Sequence, residues 1–219
     1  MISFIFCILN LLAGEIMRSS VAVTLTAVLA ALALVITVSK IEVVYPILPY
    51  LKFDFAEIPS VIAFFLVSPY SGLSTAVIHW LFLIYRAGNV LGPTMKFTAV
   101  VSMLAGFWFT SLISGRFVKN PHWRKYLIAC TIVGGVFRVV AMSILNVVVL
   151  LFVAPAYLEY ASFLLQQFLG HSMSAGEALT WTLIFTGIYN GIHVVFSVVP
   201  AALVYNIVKR RFPGIETFR

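Results

Sequence analysis

Residues 19–39 read SSVAVTLTAVLAALALVITVS, a run without a single charge, and Lys40 closes it. About 20 apolar residues are enough for one helix to cross a bilayer. The rest of the chain repeats this character. Of 219 residues, 62% are hydrophobic and 10% charged, and the mean hydropathy is +1.08. Soluble globular proteins carry about 25% charged residues, so this chain lacks the polar surface to coat a water-soluble globule. The composition excludes a soluble enzyme, a secreted disulfide scaffold and a disordered chain. It predicts one helical bundle in a lipid bilayer, with room for five to seven helices.

The net charge of +7 comes from 14 Lys and Arg against 7 Asp and Glu. The basic residues cluster between apolar runs as topology signals do, which points to a membrane and not to nucleic acid. Cys7 and Cys130 both lie in apolar stretches and read as small packing residues. The sequence has no zinc-ligand spacing, phosphate-cradling Gly-Lys-Ser/Thr loop or nucleophile elbow. Any ATP-driven step therefore needs another subunit.

Outward from the first span, residues 1–16 form a short apolar extension, an interfacial helix or an upstream addition. Met17 is an equally sensible start. Residues 41–57 (IEVVYPILPYLKFDFAE) predict a non-helical loop, interrupted by Pro46 and Pro49. The apolar run 58–86 has Ser68-Pro69-Tyr70-Ser71-Gly72 at its middle. That is turn chemistry, and it favours two short helices, 58–68 and 72–86, over one kinked helix. Spans follow at 97–115, 126–153 and 179–208. Residues 155–178 are amphipathic, a surface loop with a short helix. Residues 17–212 thus form one domain, followed by a tail at 213–219. Charge counting places the basic loop 116–125 and the C-terminus in the cytoplasm with either five or six spans. Six spans put Glu42, Asp54, Glu57, Glu159 and Glu177 outside, where a ligand is to be sought.

Several residues could carry function. Lys52 and Asp54 sit in the loop before Pro59, among Phe53 and Phe55, and read either as interfacial anchors or as a polar lip over a pocket. Asn146 and Asn190 lie inside apolar helices and need partners. These are a neighbouring helix or a ligand. His193 lies on the same helical face as Asn190. Amides can pair with a donor and an acceptor together, and flat ring edges of the uracil type present both. Tyr45 and Trp80 belong to a set of helix-end aromatics that form an interfacial belt or wall a ring-shaped ligand. Arg138, the cation deep in a span, reads as architectural. Ala27 and Ala31, four apart, allow close helix approach inside the bundle or against a partner. An intramembrane enzyme would need a paired acid/base set or a metal cluster, and only scattered single groups are found. A stand-alone scaffold would use the alanine face for packing alone.

Lys52-Phe53-Asp54-Phe55-Ala56-Glu57-Ile58-Pro59, followed by Ser68-Pro69-Tyr70-Ser71-Gly72, resembles the signature of energy-coupling-factor (ECF) transporter S-components, and most closely the riboflavin-binding type. Arg138, Met142, Asn146 and Pro155-Ala156-Tyr157 resemble that family's fifth helix. Tyr189-Asn190-Gly191-Ile192-His193 resembles its sixth. The similarity covers residues 20–210. It implies an all-α six-helix membrane bundle without catalytic activity that binds a vitamin from the outside. Its partners would be a transmembrane coupling subunit and two ATPases, in the cell membrane. It implies riboflavin or a related flavin as ligand, with no covalent cofactor. Asn146 and Asn190 would bond the ring, Lys52, Asp54 and His193 its polar remainder, and Ala27 and Ala31 would face the coupling subunit. The chain departs from the pattern at Ser68, usually Gly, and at His193, where riboflavin binders carry Lys. A different vitamin or precursor, or a non-transport scaffold, is the alternative.

Overall fold

The computed structural model of the chain describes residues 2–114 and 123–211, with side chains from residue 19 onward. Helix α1 (Ile2–Val38) runs unbroken through both the predicted extension and the first span. It ends where Lys40 takes a left-handed backbone (φ 52°). That geometry is disfavoured for a side-chain-bearing residue, and it turns the chain sharply off the helix axis.

The segment read as a loop pairs with itself. Strands β1 (Glu42–Val44) and β2 (Lys52–Asp54) are antiparallel, with Glu42 opposite Asp54 and Val44 opposite Lys52. Pro46 and Pro49 lie in the connection, where a missing N–H costs no ladder bond. Asp54 then caps a 3-10 turn at Phe55–Glu57, accepting from the Ala56 N–H at 2.7 Å. Side chains alternate along a strand. Lys52 and Asp54 therefore share one face and Phe53 takes the other.

The run 58–86 is two helices, as its turn chemistry predicts: α2 (Ile58–Leu66) and α3 (Pro69–Ala87). Ser68 is extended, and its hydroxyl accepts from the Ser71 N–H at 3.1 Å as the α3 cap. Pro69 cannot continue α2 but suits a first helical turn. A Cβ on Gly72 would lie 2.8 Å from the Phe64 Cβ, so only glycine lets the two arms close this tightly.

Helices α4 (Leu91–Ile113) and α5 (Trp123–Val148) cross where a Cβ on Gly106 would stand 2.6 Å from the Gly134 Cα. The last turn of α5 widens into a π-helix at Val149–Val153, closed by the Ala154 N–H to the Val149 carbonyl at 2.8 Å. Helix α6 (Ala156–Leu169) follows Pro155. Helix α7 (Ala175–Arg211) opens on Ser174 and Glu177, each bonding the other's backbone N–H.

Among the described residues there are seven α-helices, not the expected six. The addition is α6, in the segment read as a surface loop with a short helix. Its Leu165 and Ala161 pack under the 45–51 loop, so it is a structural clamp. Among the described residues, four helices are long and apolar enough to cross a membrane: 19–38, 91–113, 123–153 and 175–211. Residues 116–122 and 213–219, which carry part of the basic loop and the tail, lie outside the described residues.

Two clusters make the core. The larger joins Phe64, Phe65, Met103, Phe107, Tyr126, Cys130, Val194 and Tyr205 at the end of the bundle where α7 finishes. The smaller holds Tyr45, Leu48, Phe53, Ala161, Leu165 and Tyr189 beneath the β-hairpin. Between them the helices part.

Candidate functional site

The parting is a cavity of about 470 Å³ at the end where α4 and α7 begin and α5 finishes. The β-hairpin forms its lip. Met95 and Ala99 of α4, Met142 of α5, Val149 and Leu150 of the π-helix, and Tyr157 of α6 give it an apolar wall. Lys52, Asp54, Asn146 and Asn190, named from the sequence, all reach it.

Three ion pairs step down from the lip to the floor. Lys52 Nζ meets Glu42 Oε1 at 2.5 Å, with side chains 45% and 29% exposed. Lys96 pairs with Asp54, at 23% and 10%. Arg138 grips both Glu57 oxygens, at 2.6 and 3.1 Å, with 2% and 0% exposed. Each cation facing the cavity thus has its own carboxylate. Bidentate pairing and satisfied hydrogen bonds are what make a buried pair tolerable. Arg138 meets that condition: Nε donates to Asn190 Oδ1 at 3.0 Å and Nη2 to His193 Nδ1 at 3.0 Å. Ser197 Oγ donates to Glu57 Oε2 at 3.3 Å. Arg138, read from its offset to Asn146 as architectural, is tied to Glu57, Asn190 and His193 and also lines the cavity floor.

The two amides meet at Thr186. Asn146 Nδ2 donates to Thr186 Oγ1 at 3.3 Å, and Asn190 Nδ2 to the Thr186 carbonyl at 2.8 Å. Thr186 and Thr182, one helical turn apart, both line the cavity.

Three expected contact residues lie off the wall. His193 stands behind it. Its Nε2 donates to the Asp54 carbonyl at 3.2 Å, so the proton sits on Nε2 and Nδ1 accepts from Arg138. The imidazole joins the lip to α7. Tyr45 is consumed in packing, its ring edge-on to Phe53 with centroids 5.8 Å apart, and close to Tyr189. Trp80 stacks on Phe97 at 4.8 Å and donates to Thr94 Oγ1 at 3.2 Å, in the α3–α4 seam. His79, read as a hydrogen-bonded core residue, is buried against Thr37 Oγ1 at 2.8 Å. Ala27 and Ala31 are both exposed on one face of α1, so they do not pack inside the bundle.

Glu57, Lys96, Thr182 and Thr186 were not singled out as site residues. Lys96 had a signal, as the cation within the first two turns of α4. The threonines had none, because helices hide their hydroxyls by bonding back one turn.

A family model described as "ECF transporter, substrate-specific component" matches residues 21–202. The riboflavin transporter RibU of Staphylococcus aureus (strain TCH60) is 32% identical over 124 residues, 56% of this chain and 61% of that protein. The match thus spans about three fifths of that relative's length. The riboflavin transporter FmnP of Bacillus subtilis (strain 168) is 28% identical over 178 residues, 80% of this chain and 84% of that protein. A solved structure, described as the S component of a bacterial ECF transporter, shares the fold. Its TM-score is 0.59 at 24% identity, covering 89% of this chain and 96% of that one.

Proposed function

This chain belongs to the substrate-specific components of ECF transporters, and from that membership we propose that its cavity captures riboflavin or a closely related flavin for import. The observation that carries the reading is the cavity. Its volume of about 470 Å³ lies in the range that encloses a small organic ligand, roughly 300–1,000 Å³. Apolar walls suit a flat ring system, and the carboxamides of Asn146 and Asn190 suit its polar edge. Lys52, Asp54 and Lys96 at the lip suit a hydroxylated tail. The names of the two relatives point to the same ligand class.

In this reading the lip faces the outside, and the basic segment 116–125 and the C-terminus face the cytoplasm. Energy comes from a transmembrane coupling subunit and two ATPases. The exposed Ala27 and Ala31 offer the coupling subunit a face on which a helix can approach closely.

Mass spectrometry of small molecules released from protein purified in detergent tests the ligand. A flavin is expected. Release of another vitamin, with no binding of added riboflavin, would replace it. Replacing Asn146 or Asn190 by Ala should weaken binding by about 1–3 kcal/mol, the cost of a buried polar partner left unsatisfied. Unchanged affinity in both variants would remove the amides from the site. Ala27→Trp with Ala31→Trp should end co-purification with the coupling subunit and leave flavin affinity intact.

A further inference from the structure

The hydrogen bonds around Thr186 decide which end of each amide faces the cavity. Thr186 Oγ1 donates to the Thr182 carbonyl at 2.8 Å and to the Leu183 carbonyl at 3.2 Å. Its one proton is committed, so towards Asn146 it can only accept. Asn146 must therefore turn its NH2 to Thr186. Among the described residues its Oδ1 has no partner. Asn190 is fixed from both sides. Its Oδ1 accepts from Arg138 Nε at 3.0 Å and its Nδ2 donates to the Thr186 carbonyl at 2.8 Å. Turning that amide over would set N–H against N–H at Arg138 and oxygen against oxygen at Thr186. Arg138 cannot yield, because Glu57 holds its other two nitrogens.

We propose that Thr186 and Arg138 are positioning residues that set the polarity of the two amides. Asn190 offers the cavity an N–H and Asn146 a C=O, and the site takes a flat ligand whose edge pairs a hydrogen-bond acceptor with a neighbouring donor. Both amides touch the same residue, so the two ligand groups must be close together. A ring N–H flanked by a carbonyl, the imide edge of a flavin, has that pattern. An edge with two acceptors would set one of them against the Asn146 oxygen. The inference rests on the flavin reading above and goes beyond it, since neither Thr186 nor Arg138 need touch the ligand.

The test compares riboflavin with 3-methylriboflavin, which lacks the ring N–H, by equilibrium fluorescence quenching on detergent-purified protein. Five forms are measured: wild type, Thr186→Val, Thr186→Ser, Asn146→Ala and the Asn146→Ala/Thr186→Val double variant. Wild type should prefer riboflavin by tenfold or more. Thr186→Val keeps the shape but removes the acceptor that orients Asn146. It should bring the preference to within about threefold of that of Asn146→Ala. Thr186→Ser restores the hydroxyl and should restore the wild-type ratio. In an Asn146→Ala background, Thr186→Val should cost nothing further, because Thr186 acts through that amide. A Thr186→Val protein with the wild-type ratio overturns the proposal, as does an equal loss in the Asn146→Ala background. Wild type that binds both flavins alike leaves the flavin reading standing and overturns the polarity. Wild type that binds neither removes the flavin reading and the inference with it.

Discussion

The two ends of this bundle are built from the same helices on opposite plans. Where α7 finishes, the space is filled with rings. Phe65 stacks on Phe107 at 5.3 Å and Trp123 on Tyr205 at 4.1 Å, with Phe64 edge-on to both phenylalanines. Where α7 begins, the same helices leave a cavity, and ion pairs tie the hairpin and its 3-10 turn to α4 and α5, descending from an exposed lip to a fully buried floor. Close packing with few voids is the norm for a protein interior. An interior that departs from it with a cavity of about 470 Å³ at this end, and lines the gap with paired charges, has room to receive a ligand. The packed end supplies the rigidity against which the open end keeps its shape.

Breaking the packed end should have the largest effect. A Cβ on Gly134 would lie 2.3 Å from the Phe107 ring, so Gly134→Leu should abolish the monodisperse peak in size-exclusion chromatography. Gly135, one residue on, has nothing within 4 Å of its Cβ direction, and Gly135→Leu should elute as wild type. Equal behaviour of the two would mean that the α4–α5 crossing is not where the bundle is held together.

Next in size is the floor of the open end. Arg138→Met leaves the Glu57 carboxylate buried with Ser197 and His193 as its remaining partners. Removing one member of a buried pair costs about 3–5 kcal/mol, read as a lower thermal unfolding midpoint in detergent. Adding Glu57→Gln should recover part of it. An Arg138→Met protein as stable as wild type would mean that the floor is wet and the pair unimportant.

How far the sequence disclosed these two plans differs between them. The bundle was legible because lipid demands long uncharged runs, and residues 19–39 and 179–208 satisfy that demand on sight. The break at Ser68-Pro69 was legible because proline allows few alternatives there. Cavity-lining residues were legible where a polar group interrupted an apolar helix, as Asn146 and Asn190 do, or where charges crowded into the loop before Pro59, as Lys52 and Asp54 do. The partners of those groups were not, because pairing joins residues 42, 52 and 81 positions apart, as in Lys96–Asp54, Asn190–Arg138 and Glu57–Arg138. Spacing carries no trace of such contacts. The position of His193 behind the cavity wall was hidden for a related reason. Helical periodicity puts it on the face of Asn190, but the backbone carbonyl of Asp54 reaches it before the cavity does. The β-hairpin was hidden by its two prolines, which mark a loop correctly and say nothing of the three-residue strands on either side.

The smallest effects should lie at the lip, and they sharpen the comparison by grading it. Lys96→Met strips the partner from Asp54, whose carboxylate is 10% exposed and also caps the turn that positions Glu57. A hydrogen bond to a charged group is worth about 1.5–3 kcal/mol, so a loss of that order is expected. Lys52→Met removes an ammonium that is 45% exposed from a glutamate that is 29% exposed. Water replaces that interaction readily, and exposed pairs contribute roughly 0.2–1 kcal/mol. Its cost should shrink further in high salt, whereas that of Arg138→Met should not, because screening reaches surface charges and spares buried ones. Stability losses measured for all three variants at low and high salt should therefore fall in the order of burial, with salt sensitivity in the reverse order. Three equal losses, or a Lys52 variant as damaging as the Arg138 one, would mean that the charges do not lie on a gradient from water to core, and the difference drawn between the two ends would have to rest on shape alone.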